Sequence, residues 1–222
     1  MIIPIQLNHG RSISAFSLVE LIVVIGIIGL LIAILMPSLH KARMQAKAIA
    51  CQSNLRSIGQ AMLIYANANN GWLFPPDQGL DVPIYERWFL PVLKPPRPID
   101  PTSVDPKDWT PRILLCPADD PDPQNSHSYL LNHHLPEHGI RYSSKPPAGL
   151  TPETVIVMGE KLTNQGNYYV ETKSSGLSTY NDQVELRRHG YALKSNYLYL
   201  DLHVDNRGPN GLIEGVDPWD FP

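Results

Sequence analysis

Residues 16–36, FSLVELIVVIGIIGLLIAILM, form an almost unbroken apolar run in which only Ser17 and Glu20 are strongly polar. As a helix, a run of this length spans roughly 30 Å, the thickness of a bilayer core. Gly26 and Gly29 do not argue against that helix, because lipid leaves a backbone no better partner than itself. A secretory signal peptide has an apolar core of about 7–15 residues followed by a small-x-small cleavage site. This run is longer, and Pro37-Ser38-Leu39-His40 follows it without such a site.

Beyond the run the pattern changes to one apolar stripe. Cys51, Leu55, Ile58, Met62 and Tyr65 recur at steps of three and four, which predicts that the helix continues to about Ala68 with one side packed on the protein's own sheet. Asn67, Asn69, Asn70 and Gly71 supply its stop signal. Thirteen of the 22 prolines lie between Pro75 and Pro123, so this stretch is neither regular helix nor central strand. The C-terminal part reads as strands. Thr154–Met158 is a continuous apolar run suited to a buried strand, and 168–171 and 183–186 are shorter candidates. Over 197–205, Leu198, Leu200, Leu202 and Val204 alternate with Tyr199, Asp201, His203 and Asp205, predicting one strand with a core face and a polar face.

The expected fold is therefore α+β: a long N-terminal helix, membrane-spanning in its first half, packed on a small antiparallel sheet, with a proline-rich irregular insertion. The divisions are a leader 1–15, an apolar helix 16–36, its amphipathic continuation 37–70, the irregular region 71–152 and the sheet region 153–222.

Composition narrows the function. A formal net charge of −3 argues against a nucleic-acid binder. Cys51 and Cys116 are too few for a cysteine-rich zinc site. If the domain lies outside the cytoplasm, one disulfide is the natural reading, and docking of Ile113–Cys116 on the helix would bring the two together; two unrelated buried thiols are the alternative.

Glu20 is the anomaly. A carboxylate in a membrane span costs on the order of 2–3 kcal/mol on insertion scales, so it usually has a partner. The nearest amine would be that of Phe16, four residues earlier, if Phe16 were a new N-terminus.

The string Ala15-Phe16-Ser17-Leu18-Val19-Glu20, running into an Ile/Val/Leu/Gly helix, resembles the class III signal of type IV pilins and type II secretion pseudopilins. The resemblance covers roughly residues 11–40. It implies cleavage between Ala15 and Phe16 by a prepilin peptidase, N-methylation of Phe16, and pairing of Glu20 with the N-terminal amine of a neighbouring subunit. Pro37 stands where family members often carry a helix-kinking proline. The family prefers Gly before the cut, and this chain has Ala15, which is also small. Lys41, Arg43 and Lys47 follow the run while the leader offers only Arg11, so the positive-inside rule alone would place the C-terminal side in the cytoplasm. The resemblance implies the opposite: a single pass through the bacterial inner membrane, leader cytoplasmic, domain periplasmic, and a filament or cell-surface location after assembly.

A second resemblance concerns "CQSNLRSIGQAMLIYANANNGWLFP", "LLCPADD", "SYLLNHHL" and "RHGYALKSNYLYLDLHVD". These are similar to a large group of bacterial prepilin-type proteins that end in His, nine residues, then Asp-Gly. Here His189 precedes Asp201 by eleven intervening residues, and Leu202 replaces the Gly, removing a position where φ could be positive.

Other constellations carry little chemistry. His127, His133, His134 and His138, with Asp119, Asp120 and Asp122, lack HExxH or a helical pattern to fix ligands, and read as loop histidines. Asp201, Asp205 and Asp217 are too widely spaced for a compact calcium loop. GxSxG and a phosphate loop are absent, and Gly159-Glu160-Lys161 reads as a sheet-end salt bridge. The expectation is a non-enzymatic pseudopilin or minor-pilin-like subunit with no cofactor and no metal. Its partners would be the prepilin peptidase/methyltransferase, other pilin-like subunits, an inner-membrane assembly platform and the lipid bilayer. The alternative is a membrane-tethered envelope binding protein that uses the signal only for sorting, with Tyr168, Tyr169, Tyr180, Tyr191, Tyr197 and Tyr199 as a ligand face.

Overall fold

The structure is a computed structural model of the 222-residue chain. It describes residues 17–73, 92–93, 112–119, 127–132, 141–143, 146, 150–163, 169–170, 183–189, 194–208 and 219. The chain forms two compact units, Met1–Ala42 and Arg43–Pro222.

Helix α1 spans Leu18–Ala68 and so contributes to both units. In the first unit, every large apolar side chain from Leu18 to Leu39 is exposed. The helix is long and apolar enough to cross a membrane. Pro37 lies inside it, where its missing N–H deprives the Ala33 carbonyl of a helical partner. One residue on, the Ser38 hydroxyl donates to the Leu35 carbonyl at 2.8 Å.

In the second unit, α1 buries Cys51, Leu55, Ile58, Gly59, Met62 and Ala66. The predicted stripe holds, except that Ala66 takes the central position and Tyr65 flanks it. Asn70 and Gly71, with φ of 54° and 85°, close the helix, and the Gly71 N–H donates back to the Ala66 carbonyl at 2.7 Å.

The sheet has five strands: β1 (Tyr129–Asn132), β2 (Ile156–Glu160), β3 (Tyr169–Val170), β4 (Ser195–Tyr199) and β5 (Val204–Arg207). Their order is β3-β1-β2-β4-β5. The four strands β1, β2, β4 and β5 pair antiparallel, as expected, while the two-residue β3 pairs parallel to β1 at the edge. Both faces are covered. Tyr129, Leu131, Val157 and Leu198 join the α1 stripe in one core, and Leu130, Ile156, Tyr197 and Tyr199 form a second with Val184 and Trp219. A register shift between Ile156 and Met158 breaks the alternation of β2, and Met158 follows Val157 onto the helix side. Gly159 lets Trp219 close on β2: a Cβ there would lie 2.9 Å from the Trp219 ring and 3.0 Å from that of Tyr197. Asn132 fixes this arrangement by donating to the carbonyls of Ile156 and Trp219, both at 3.0 Å.

Three sequence expectations change. Residues 129–132 lie in the region expected to be irregular, yet form a central strand. Residues 183–186 make only an isolated bridge, Val184 to Lys161. The stretch 197–205 is a hairpin rather than one strand. The turn is closed by the Tyr199 N–H to the His203 carbonyl at 3.0 Å and the Leu202 N–H to the Tyr199 carbonyl at 2.9 Å. Asp201 accepts from the His203 N–H, and the His203 ring stacks on Tyr199 with centroids 4.3 Å apart.

Leu202 sits in this turn at φ 69°, the left-handed region. The turn that an Asp-Gly pair would favour is thus made with a leucine, at a backbone cost of about 1–2 kcal/mol. Leu202→Gly is therefore expected to be more stable than Leu202→Ala, by about 1 kcal/mol, reversing the usual order of these residues. Chemical denaturation of the detergent-solubilised full chain measures this, and a more stable Ala variant would contradict it.

Candidate functional site

Ala15 and Phe16, the expected cleavage pair, lie outside the described residues. Glu20 occupies the first turn of α1. Its carboxylate accepts from the Ser17 N–H at 3.0 Å, and the Ser17 hydroxyl accepts from the Val19 N–H at 3.3 Å. This is a capping-box arrangement, Ser17-x-x-Glu20, which satisfies two of the four N–H groups that a helix start leaves open. Sequence reasoning overlooked it, although S-x-x-E before an apolar run is its signature. Both residues remain in a chain that begins at Phe16, so the cap is compatible with processing.

The second unit holds a buried charged cluster around a disulfide. Cys51 on α1 is bonded to Cys116, 65 residues away in sequence. Cys116 follows a 3-10 turn, Arg112–Leu114, which is held to the helix by Asn54 donating to the Leu115 carbonyl at 2.9 Å. A crosslink closing a loop of this length stabilises by about 4 kcal/mol in the chain-entropy model.

The two cysteines belong to the apolar core on the helix side of the sheet, and polar groups also lie against the sulfurs. His189 Nε2 is 3.8 Å from Cys116 Sγ and 2.6 Å from Glu160 Oε1. Asn196 Nδ2 donates to the same Glu160 oxygen at 3.0 Å, and Arg188 Nε lies 3.8 Å from its other oxygen. Arg188 also pairs with Asp119 and donates to the Lys161 carbonyl. The side chains of Asp119, Glu160, Arg188 and His189 are all at least 96% buried. Burial pushes the Lys161 ammonium down to about 8, with Asp119 acting in the opposite direction. Burial also raises the Tyr129 phenol, with Glu160 reinforcing the shift.

The salt bridge expected at the sheet end around Gly159-Glu160-Lys161 is present, with Glu160 at the end of β2 paired to Arg188 and His189. Glu160 and Lys161 are both fully buried, and Glu160 turns to His189, Asn196 and Arg188. The strand itself carries Glu160 inward, where an apolar run gives no hint of a charge at its end.

His189 and Asp201, the two ends of the degenerate C-terminal motif, do different work. His189 belongs to the buried cluster, and Asp201 orders the β4–β5 turn. Asp205 pairs with Arg207 at 2.7 Å, and this hydrogen bond holds its carboxyl below the usual range. Tyr197 and Tyr199 are core residues rather than a ligand face, and burial pushes the Tyr199 hydroxyl up to about 12. Of the histidine and aspartate group, His127 is buried and Asp119 serves Arg188, whereas Asp120, Asp122, His133, His134 and His138 lie outside the described residues, as do Asp217, Tyr168, Tyr180 and Tyr191.

No family model, curated protein or solved structure matches the chain. What the cluster can do follows from its own chemistry. Removing one member of a buried ion network leaves its partners charged and unpaired, at a cost of about 3–5 kcal/mol. Arg188→Met is expected to lose stability of that size, because it leaves the buried Asp119 with Thr163 but no cation and takes the positive charge from beside Glu160, which keeps His189 and Asn196. Denaturant midpoints of the oxidised full chain check this, and a loss under 1 kcal/mol would show that the cluster does not hold the domain together.

Proposed function

We propose that the chain is a non-enzymatic, pilin-like structural subunit, inserted in a membrane through the first part of α1 and assembled through that same helix. The observation that carries this reading is the exposure of every large apolar side chain between Leu18 and Leu39. Hydrocarbon at about 25 cal/mol per Å2 does not stay in water, and it needs lipid or other helices around it. The Ala15-Phe16-Ser17-Leu18-Val19-Glu20 string adds the route: a prepilin peptidase frees and methylates Phe16, and the amine pairs with the Glu20 of a neighbour. An inner-membrane platform and a separate cytoplasmic ATPase would drive assembly, with the disulfide-closed domain outside the cytoplasm.

A groove of about 410 Å3 in the second unit favours a second reading, the membrane-tethered binding protein. Arg56, Gln60, Tyr142, Asp201 and His203 line it with Leu63, Leu202 and Val204, a mixed surface that suits a polar ligand.

Glu20 separates the two. Glu20→Val removes both the charge and the cap, whereas Glu20→Gln keeps an oxygen for the Ser17 N–H and removes only the charge. On the assembly reading both variants insert in the membrane, and both are absent from sheared or sedimented filaments and from subunit crosslinks. Normal assembly of Glu20→Gln would mean that the carboxylate serves only its own helix, and the reading fails.

A further inference from the structure

Cys51–Cys116 is part of the apolar core, yet a histidine and a carboxylate stand beside it. The two sulfurs, one ring nitrogen of His189 and one carboxylate oxygen of Glu160 lie within 4.8 Å of one another. Each comes from a different part of the chain: Cys51 from α1, Cys116 from beyond the 3-10 turn, Glu160 from the end of β2 and His189 from the segment before β4. We propose that the reduced chain binds one zinc ion through Cys51, Cys116, Glu160 and His189, and that forming the disulfide expels it.

The geometry fits that ion. Zinc takes four ligands tetrahedrally, with bonds of about 2.3 Å to sulfur and about 2.0 Å to nitrogen or oxygen, so the ligand atoms stand roughly 3.3–3.8 Å apart. The Cys116 Sγ to His189 Nε2 distance, 3.8 Å, already has this value. The His189 to Glu160 pair, at 2.6 Å, opens by under about 1 Å to admit the ion. The sulfurs, at 2.02 Å when bonded, must separate in any case once the bond is broken. The outer groups are also in place. Asn196 fixes the Glu160 carboxylate, and Arg188 stands beside its second oxygen, as partners that orient ligands do. Two thiolates and a carboxylate give the ion a soft, anionic, dry site, which selects zinc over magnesium or calcium.

The chemistry balances with a thiol-disulfide oxidant as co-reactant. In the reduced chain, zinc displaces the two thiol protons. When a small-molecule or protein disulfide oxidises the site, the Cys51–Cys116 bond forms and the oxidant's S–S bond breaks. Two electrons pass to the oxidant, which takes up two protons and leaves as two thiols, and zinc departs with its charge. Because Cys51 is 0% and Cys116 2% exposed, an oxidant or reductant reaches the sulfurs only when this corner of the fold opens, and zinc belongs to the chain before oxidation. There it holds together, without a covalent bond, the elements that the disulfide later locks.

The test uses the full chain, reduced with a phosphine in denaturant, returned anaerobically to detergent without denaturant, and titrated with Co2+ and then Zn2+. The reduced chain should bind one Co2+ with the visible absorption and sulfur-to-metal charge-transfer band of a tetrahedral thiolate site, and Zn2+ should bleach it. The oxidised chain keeps all eight histidines and should show neither signal. His189→Gln and Glu160→Gln should each weaken binding at least tenfold, and Cys51→Ser/Cys116→Ser should abolish it. Thermal melts guard against misfolding: Zn2+ should raise the melting temperature of the reduced chain and leave the oxidised chain unchanged. The proposal is overturned if the reduced chain, folded or not, gains no melting transition and no tetrahedral spectrum, or if its affinity is unchanged by His189→Gln.

Discussion

One constraint shapes this chain: α1 must be apolar for two different reasons along its length. Up to Leu39 its large apolar side chains are all exposed, and Glu20 and Ser38 are the polar exceptions. From Cys51 to Ala66 the apolar residues narrow to one stripe that meets the sheet. A helix that is greasy all round needs a greasy surrounding, while a striped helix needs only one partner. The two demands share a single run of backbone hydrogen bonds, with Pro37 tolerated inside it.

The second unit is organised around that stripe. α1 and the helix-facing side of β1, β2 and β4 make one core, and Trp219, packed through Gly159, closes the other side. The disulfide ties α1 to the segment preceding β1, where the chain would otherwise have a long loop to close. The charges next to it are paired with one another rather than with water. That makes this corner costly to disturb, and it places the only two thiols beside ligands that could use them.

Much of the fold was readable because its signals are periodic. The length of the apolar run, the three-and-four spacing from Cys51 and the Asn-Gly stop each fix backbone geometry locally. The four residues of β1 were not readable, because a strand buried on both faces has no alternation and this one is too short to stand out. The 197–205 stretch misled for the opposite reason. Its alternation is real, but a two-residue period says nothing about where a chain reverses, and Leu202 gives no turn signal. Within the candidate site, the cysteines and His189 were legible as residues. Their meeting with Glu160, Asn196 and Arg188 depends on tertiary pairing across β2 and β4, which no local pattern records.

We propose that the apolar start of α1 is an assembly helix made competent by cleavage before Phe16, not a permanent anchor. The most direct measurement is N-terminal mass spectrometry of the protein extracted from membranes of its native host. The account predicts a chain that begins at Phe16 and carries one methyl group on its amine. A chain that still begins at Met1 would contradict it.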